Sequence, residues 1–258
     1  MIPTIVLDRA TTPGGEMVLS RHGDDFSIRV GGVELMSSRA HGSEDQLGAM
    51  TCERVAALPR PAVLVGGLGL GFTLRAVLDA LPSAEVDVVE LVPAIVRWNR
   101  DVLGHLAGRP LDDPRVTVHE GDVGDVMRAR HRTWTAIVLD VDNGPDALFA
   151  GNAGLYRKKG LSAAFDALAP GGVLAVWSAF RSPEFTGVLA DVGFEVETAT
   201  IRAHGRSGAR HTLWFARRPL PSRRGEGRGV TRPAAGGSHT RSGDRAPPRT
   251  GSGRRGPR

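Results

Sequence analysis

The chain has 258 residues, of which 41% are hydrophobic, enough for one sizeable domain or a domain with a small appendage. Its net charge of +5 comes from residues 219–258, where ten arginines face two acidic residues, so residues 1–218 carry a charge of −3. No apolar run approaches the ~20 residues that span a membrane, and no secretory leader is evident. Cys52 is the only cysteine, which excludes an intrachain disulfide and a cysteine-cluster metal site. The composition predicts a cytoplasmic protein that binds no metal.

Residues 1–58 are predicted to form a small N-terminal β-domain followed by one helix. Segments 16–22 and 25–30 read as strands, and Gly31-Gly32 has the form of a two-residue hairpin turn that leads into a third strand. The sequence from Ser43 to Gln46 has the spacing of a capping box, which predicts that a helix begins there and runs to about Leu58.

A glycine-rich turn opens the second domain, predicted to cover residues 59–218. An apolar strand over 62–66 leads into Gly67, Gly69 and Gly71, and an amphipathic helix follows. Glycine has no Cβ and tolerates positive φ, so a ligand can approach this backbone closely, and the free N–H groups of the helix start can bind it. The turn therefore predicts a nucleoside site, and mere packing of the helix on the strand is the alternative.

Acidic residues stand at the ends of the next three predicted strands. These are Glu90, about 20 residues after the glycines, then Asp122 and Asp140. The carboxyl ends of parallel strands line the ligand crevice of an open α/β sheet, and an acid at the position of Glu90 is expected to bind ribose hydroxyls. For each acid taken alone, a cap or first-turn residue on the next helix is an equal alternative.

The last strands complete the predicted fold. A fifth apolar strand covers 172–177, and strands over 194–201 and 211–216 are joined by a loop as an antiparallel hairpin. A parallel sheet closed by such a hairpin is typical of class I AdoMet-dependent transferases, whereas a dehydrogenase would end with another parallel unit. The prediction is an α/β protein with a Rossmann-like class I methyltransferase sheet, mostly parallel, behind a small N-terminal β-domain.

The segment 16–218 resembles the spermidine synthase family of polyamine aminopropyltransferases. The glycine turn, which ends in Leu-Arg, is similar to the Gly-Gly-Gly-Asp-Gly-Gly-x-Leu-Arg element of that family, and residues 89–93 resemble its Val-Glu-[Ile/Leu]-Asp element. Gly121-Asp122 is similar to Gly-Asp-[Gly/Ala], and residues 137–149 are similar to the segment that begins Ile-Asp-Ser-Ser-Asp-Pro. Gln46 falls near the Tyr-[Gln/His]-Glu contact of the family.

This resemblance implies a transferase of polyamine biosynthesis that moves an aminopropyl group from decarboxylated S-adenosylmethionine to a polyamine-type amine. It also implies that Asp122 reads the adenine amino group. A carboxylate at the end of the fourth strand can take a proton from the attacking amine, so Asp140 is the candidate base. The predicted cosubstrate-binding residues are Gln46, Gly67, Gly69, Gly71, Glu90, Asp122 and Asp140.

Two further residues are candidates for the acceptor side. Asp142 is predicted as a catalytic residue that binds the amine, with a turn-forming role as an equal alternative. Tyr156 is predicted to hydrogen-bond the acceptor, although packing in the core is the favoured alternative for it. A group of carboxylates attracts a cationic amine, which makes a small-molecule amine the expected substrate.

Leu70 departs from the family pattern and keeps a second reaction open. It stands where the family has the aspartate that faces the amine of the donor's aminopropyl group. The first alternative is therefore a methyltransferase that uses S-adenosylmethionine itself, and the second is a non-catalytic nucleoside-binding homologue. Fold alone does not decide between them.

Residues 219–258 are predicted to be a disordered tail rich in arginine, glycine and proline. The segment has almost no large apolar residues with which to offset the chain entropy of folding. A dispensable extension is the favoured interpretation, and weak contact of its arginines with nucleic acid is the alternative. The sequence predicts no membrane partner and allows for a homodimer.

Overall fold

Two sheets and six helices account for most of the chain in the computed structural model, which describes residues 2–12, 14–141, 144–146, 152–204 and 207–221. Residues 1–221 form one unit by their internal contacts, and residues 222–258 form another. The tail beyond Pro221 lies outside the described residues, so its predicted disorder stays a prediction. No helix among the described residues is long and apolar enough to cross a membrane.

The N-terminal sheet has four antiparallel strands in chain order. Its inner face is built by alternate residues, among them Leu19, Phe26 and Ile28, which are buried. Gly31 and Gly32 both have positive φ, as the predicted two-residue hairpin requires. The strands are β1 (Thr4–Thr12), β2 (Gly15–His22), β3 (Asp25–Val30) and β4 (Val33–Ser37).

Helix α1 (Gly42–Val55) joins the two sheets and differs from its prediction. It begins one residue early, its N-cap is His41, and no side chain caps it, so the predicted capping box is wrong. Ser43 lies inside the first turn, where its hydroxyl bonds side chains from other parts of the fold. The helix also ends at Val55, three residues before the predicted Leu58.

The second sheet has seven strands in the order β10-β11-β9-β8-β5-β6-β7. Strands β5 to β9 are parallel, and β10 and β11 add the antiparallel hairpin, which confirms the predicted class I methyltransferase architecture. Every residue of β8 is buried, as expected for a central strand that is covered on both faces. The strands are β5 (Ala62–Gly66), β6 (Glu85–Glu90), β7 (Val116–Glu120), β8 (Trp134–Leu139), β9 (Leu168–Ser178), β10 (Glu195–His204) and β11 (Ser207–Arg217).

Helices cover both faces of this sheet. Residues of α1, α2 and α3 belong to one apolar cluster, and residues of α4, α5 and α6 belong to a second. Helix α3 begins with Pro93 at its first turn and ends at Arg100, and α5 begins at Lys158. The helices are α2 (Phe72–Ala80), α3 (Pro93–Arg100), α4 (Val123–Ala129), α5 (Lys158–Ala167) and α6 (Pro183–Val192).

Candidate active site

A cavity of about 360 Å³ lies at the carboxyl ends of β5, β6 and β8. Its wall combines the glycine turn, the strand ends, the first turn of α1 and residues of the N-terminal sheet. This is the crevice in which open α/β sheets bind ligands. The described residues that line it include no lysine, arginine or histidine, but they include four acids, Glu44, Glu90, Asp122 and Asp140.

The glycine turn is shaped first by contact with β8. Gly67 has φ +87°, and a Cβ at this position would overlap the carbonyl oxygen of Asp140, so only glycine lets β5 pass this close to the end of β8. Gly71 has φ +88° and is the N-cap of α2. All the residues from Gly67 to Leu70 line the cavity, so the turn presents its backbone to any bound ligand.

Glu90 ties the end of β6 to the glycine turn. Its Oε2 accepts a hydrogen bond from the backbone N–H of Leu68 at 2.9 Å, and its Oε1 accepts one from Val92 at 2.9 Å. Burial raises the pKa of this carboxyl, and the backbone N–H groups oppose that shift. These backbone contacts fix the carboxylate of Glu90 at the cavity wall.

Asp122 is the N-cap of α4. Its Oδ1 accepts a hydrogen bond from the N–H of Gly124 at 2.6 Å, which is the helix-capping role weighed for it in the sequence. The residue also lines the cavity, beside Gly121. Asp122 can cap the helix and contact a ligand at the same time, because the capping bond fixes the position of its carboxylate.

Asp140 directly follows β8 and lines the cavity. Its Oδ2 accepts a hydrogen bond from the hydroxyl of Thr73 at 2.6 Å. Burial raises the pKa of Asp140 to about 7, with a further contribution from repulsion by Glu44. The carboxyl of Asp140 therefore changes its protonation near neutral pH.

Glu44 is the cavity acid that the sequence did not single out. Its Oε2 accepts the hydroxyl hydrogen of Ser43 at 2.6 Å, while the indole N–H of Trp177 donates to the same hydroxyl oxygen at 3.0 Å. Nδ1 of His211 lies 2.8 Å from that oxygen, and it donates because the single proton of Ser43 already goes to Glu44. Burial raises the pKa of Glu44 and lowers that of His211.

Residues 47–189, more than half of the chain, match the sequence model of the spermine/spermidine synthase domain. The chain belongs to the spermine/spermidine synthase family. The part of the chain that matches contains the glycine turn, the ends of β6, β7 and β8, and most of α1. Glu44 precedes the matched region, and His211 follows it.

Curated relatives in this family carry two different kinds of name. A putrescine N-methyltransferase 2 of Nicotiana tabacum is 32% identical over 119 residues, which are 45% of this chain and 31% of the relative. A polyamine aminopropyltransferase of Mycobacterium tuberculosis is 28% identical over 165 residues, which are 62% of this chain and 30% of the relative. The matched part thus spans about a third of the length of these relatives.

Solved structures of similar fold include spermidine synthases. The enzyme of Thermotoga maritima superposes with a TM-score of 0.68 at 18% identity, covering 84% of this chain and 74% of that one. A spermidine synthase in complex with the transition state analogue AdoDATO gives 0.67 at 17% identity, covering 84% and 73%. At these identities the likeness shows the fold, which is the one that the sequence predicted.

Of the remaining predicted residues of this family member, Gln46 and Tyr156 are not among the described residues that line the cavity. Gln46 is exposed on α1 and is not among the lining residues. Tyr156 is buried, packs edge-on against Phe185 and donates its hydroxyl to the carbonyl of Val141 at 2.8 Å, so it fixes the backbone just after Asp140. Asp142 lies outside the described residues, and the ligand roles of all three stay predictions.

Leu70 is buried and lines the cavity, at the position where the family resemblance places an aspartate. The glycine turn of this member is therefore apolar at that point. Within the described part of the chain, no group of three or more histidine, cysteine or acidic side chains is arranged to hold a metal ion.

Proposed function

We propose that this protein transfers an aminopropyl group from decarboxylated S-adenosylmethionine to a polyamine-type amine. One observation carries the proposal: four acids and no basic side chain are found among the described residues that line the cavity. S-adenosylmethionine would bring a carboxylate into this negative field, whereas the decarboxylated donor has only a sulfonium and an ammonium group. An acidic wall favours the second donor and a cationic acceptor.

The nucleoside part of the donor fits the end of the cavity formed by β5, β6 and β7. On this proposal the backbone from Gly67 to Gly71 contacts the nucleoside, Glu90 accepts the ribose hydroxyls and Asp122 accepts the adenine amino group. Support comes from the positions of both carboxylates, which backbone N–H groups hold on the cavity wall. Acids fixed in this way bind with little loss of side-chain freedom.

The chemistry on the acceptor side is a displacement at carbon. The amine nitrogen attacks the aminopropyl carbon bonded to sulfur, the new C–N bond forms, and the C–S electron pair passes to sulfur to give neutral methylthioadenosine. Asp140 takes one proton from the acceptor nitrogen before the attack, which gives this nitrogen its free electron pair, and the product leaves as a protonated secondary amine. A pKa of about 7 suits this role, since a base of that pKa is substantially ionised at neutral pH and still holds a proton well.

Methyl transfer from S-adenosylmethionine to an amine is the second candidate. Leu70 favours it, because the resemblance places an aspartate for the donor's aminopropyl amine at this position. The relatives named putrescine N-methyltransferase favour it as well. The same base and the same nucleoside contacts would serve this reaction, so only the donor distinguishes the two.

Product analysis separates these candidates. Purified protein is incubated with 1,4-diaminobutane and either decarboxylated S-adenosylmethionine or S-adenosylmethionine, and the nucleoside product is measured by mass spectrometry. We expect methylthioadenosine from the decarboxylated donor, and none in an Asp140→Asn control. Formation of S-adenosylhomocysteine alone would replace the proposal with methyl transfer. Binding of methylthioadenosine without either product would indicate the non-catalytic homologue.

The acceptor on this proposal is a small-molecule amine with at least two nitrogen atoms. A short diamine spreads two positive charges along an extended chain, which matches a cavity with acids on several walls. The homodimer and the cytoplasmic location remain predictions from the sequence, which size-exclusion chromatography and cell fractionation would test.

A further inference from the structure

We infer that Glu44 is a second carboxylate of the amine site, which together with Asp140 binds the acceptor nitrogen in its ammonium form, before that nitrogen gives a proton to Asp140 and attacks as a neutral amine. The inference rests on the proposed function and adds a residue that comes from α1 instead of from the sheet. Both residues line the cavity, and both lie beside the hydroxyl of Thr73, Asp140 through its carboxylate and Glu44 through its backbone carbonyl.

The packing of α1 on α2 brings the two acids together. A Cβ at Gly48 would lie 2.7 Å from the Cβ of Ala76 and 2.9 Å from the carbonyl oxygen of Thr73, so a larger residue would push the helices apart. Glu44 lies one turn before Gly48. The hydroxyl of Thr73 consequently lies 2.6 Å from Oδ2 of Asp140 and 3.4 Å from the carbonyl oxygen of Glu44.

Ser43 and its neighbours hold the Glu44 carboxylate in place. Ser43 is fully buried, and it receives the N–H groups of Trp177 and His211 while it donates to Oε2 of Glu44. Because three side chains fix the hydroxyl, Glu44 is aimed at a defined place in the cavity. Ser43 is thus a positioning residue, and Glu44 is the residue that touches the ligand.

Within the described part of the chain, no positively charged side chain pairs with these two acids. Among the described residues, no ion pair involves Glu44 or Asp140, and the nearby Asp45 is itself paired with His41. Burial holds His211 in its neutral form, because it lowers the pKa of the imidazole. Burial raises the pKa of both carboxyls, and repulsion by Glu44 raises that of Asp140 further, so both favour a bound proton. An ammonium group supplies the missing positive charge and three N–H donors.

A matched pair of substitutions tests the inference. Glu44→Gln removes the charge but keeps an oxygen that can accept from Ser43, and Glu53→Gln makes the same change at an exposed position of the same helix. Isothermal titration calorimetry of the full chain measures the affinity for 1,4-diaminobutane, with and without saturating methylthioadenosine, and the affinity for methylthioadenosine itself.

We expect Glu44→Gln to weaken binding of the diamine about tenfold or more, the usual effect of losing a charged partner in a hydrogen bond. Binding of methylthioadenosine, which has no amine chain, should be unchanged, and Glu53→Gln should change neither affinity. Equal diamine affinities in the wild type and Glu44→Gln would overturn the inference, and so would a wild type that binds no diamine.

Two further measurements keep this test independent of folding and of the proposed function. If Glu44→Gln does not fold by circular dichroism, Ser43→Ala tests the same contact, and it should weaken diamine binding less than tenfold but measurably; no weakening would overturn the inference. If the wild type uses S-adenosylmethionine and not the decarboxylated donor, aminopropyl transfer is refuted, while the diamine titration still decides the role of Glu44.

Discussion

The two halves of the cavity hold their acids in different ways. In the nucleoside half, Glu90 and Asp122 accept hydrogen bonds from backbone N–H groups no more than 22 residues away in the sequence. In the amine half, Glu44 and Asp140 accept hydrogen bonds from the hydroxyl groups of Ser43 and Thr73. Those hydroxyls are placed by the packing of α1 on α2 and by Trp177 and His211.

This difference concerns how far the protein itself stabilises the charged form of the acids in each half. Backbone N–H groups already stabilise the acids of the nucleoside half, which can therefore receive neutral hydroxyl and amino groups. Burial raises the pKa of Glu90 as well as those of Glu44 and Asp140, but in the amine half Glu44 also repels Asp140, and no ion pair among the described residues involves either of these two acids. We conclude that the fold pre-organises the nucleoside half, whereas the amine half is stable as a charged pair only when a cation is bound.

The largest expected effect comes from Asp140→Asn, which removes the proposed base of the amine half. Transfer should fall by roughly 10²–10⁴-fold, the usual contribution of a positioned general base. Binding of methylthioadenosine should stay within about twofold, because the nucleoside half keeps its contacts. Initial rates and calorimetry measure the two effects, and a rate within tenfold of the wild type would show that Asp140 is not the base.

The same variant should be more stable than the wild type in alkaline buffer. The pKa of Asp140 is raised from its ordinary value of 3.8 to about 7, so the folded state is penalised as the pH rises through this range and the carboxyl must ionise. The stabilisation by Asn should therefore be full above about pH 7 and vanish near pH 4. Melting temperatures across this range test it, and a variant less stable at every pH would contradict it.

Glu90→Gln should weaken binding in the nucleoside half and leave the amine half intact, which is the opposite of the pattern expected from Asp140→Asn. The carboxylate receives the N–H groups of Leu68 and Val92, and the amide would turn one of these acceptors into a donor that faces a donor. We expect affinity for methylthioadenosine to fall roughly 10- to 100-fold while affinity for 1,4-diaminobutane is kept. Equal losses for both ligands would show that the halves do not act separately.

The nucleoside half could be predicted from the sequence because its parts are local. Glu90 and Asp122 follow their strands directly, and parallel strands end at one edge of a sheet, so the pattern of strands is enough to place them. The succession of strands along the chain and the closing hairpin could be predicted for the same reason. Family resemblance covered this half as well, since its residues fall inside the matched region.

Of the amine half, Asp140 could be predicted from the end of its strand, but Glu44 could not, since its place in the cavity depends on tertiary packing. Ser43 was interpreted as a capping-box residue, but its hydroxyl forms hydrogen bonds with Glu44, Trp177 and His211. His211 is 168 residues away in the sequence. Gly48 gives no local sign that α1 approaches α2 closely. Alignment to the family directed attention to Gln46, although the residue that reaches the cavity lies two positions earlier.

The pH dependence of transfer should show that the two acids of the amine half influence each other. Asp140 must be ionised to accept a proton, so the rate at limiting substrate should rise with pH through about 7. Glu44→Gln removes the repulsion that raises the pKa of Asp140, so the rising limb should move to lower pH, while burial keeps it above the ordinary range of an aspartate. The control Glu53→Gln should leave the profile in place, and an unmoved profile in Glu44→Gln would show that the two acids do not interact.

The smallest effect is expected from Gln46→Ala. This variant tests whether Gln46 contacts the nucleoside, as the family resemblance implies, or lies away from it, as the structure places it. Residues two positions apart on a helix do not share a face, so a helix that turns Glu44 into the cavity turns Gln46 toward solvent, where it is exposed. Loss of an exposed side chain should change donor affinity by less than about twofold and stability by at most about 0.5 kcal/mol. Calorimetry with methylthioadenosine gives the first value and thermal unfolding the second. A tenfold loss of affinity would mean that α1 rotates when the nucleoside binds. Such a rotation would also remove Glu44 from the amine site. The Gln46→Ala variant therefore tests the positions of both residues.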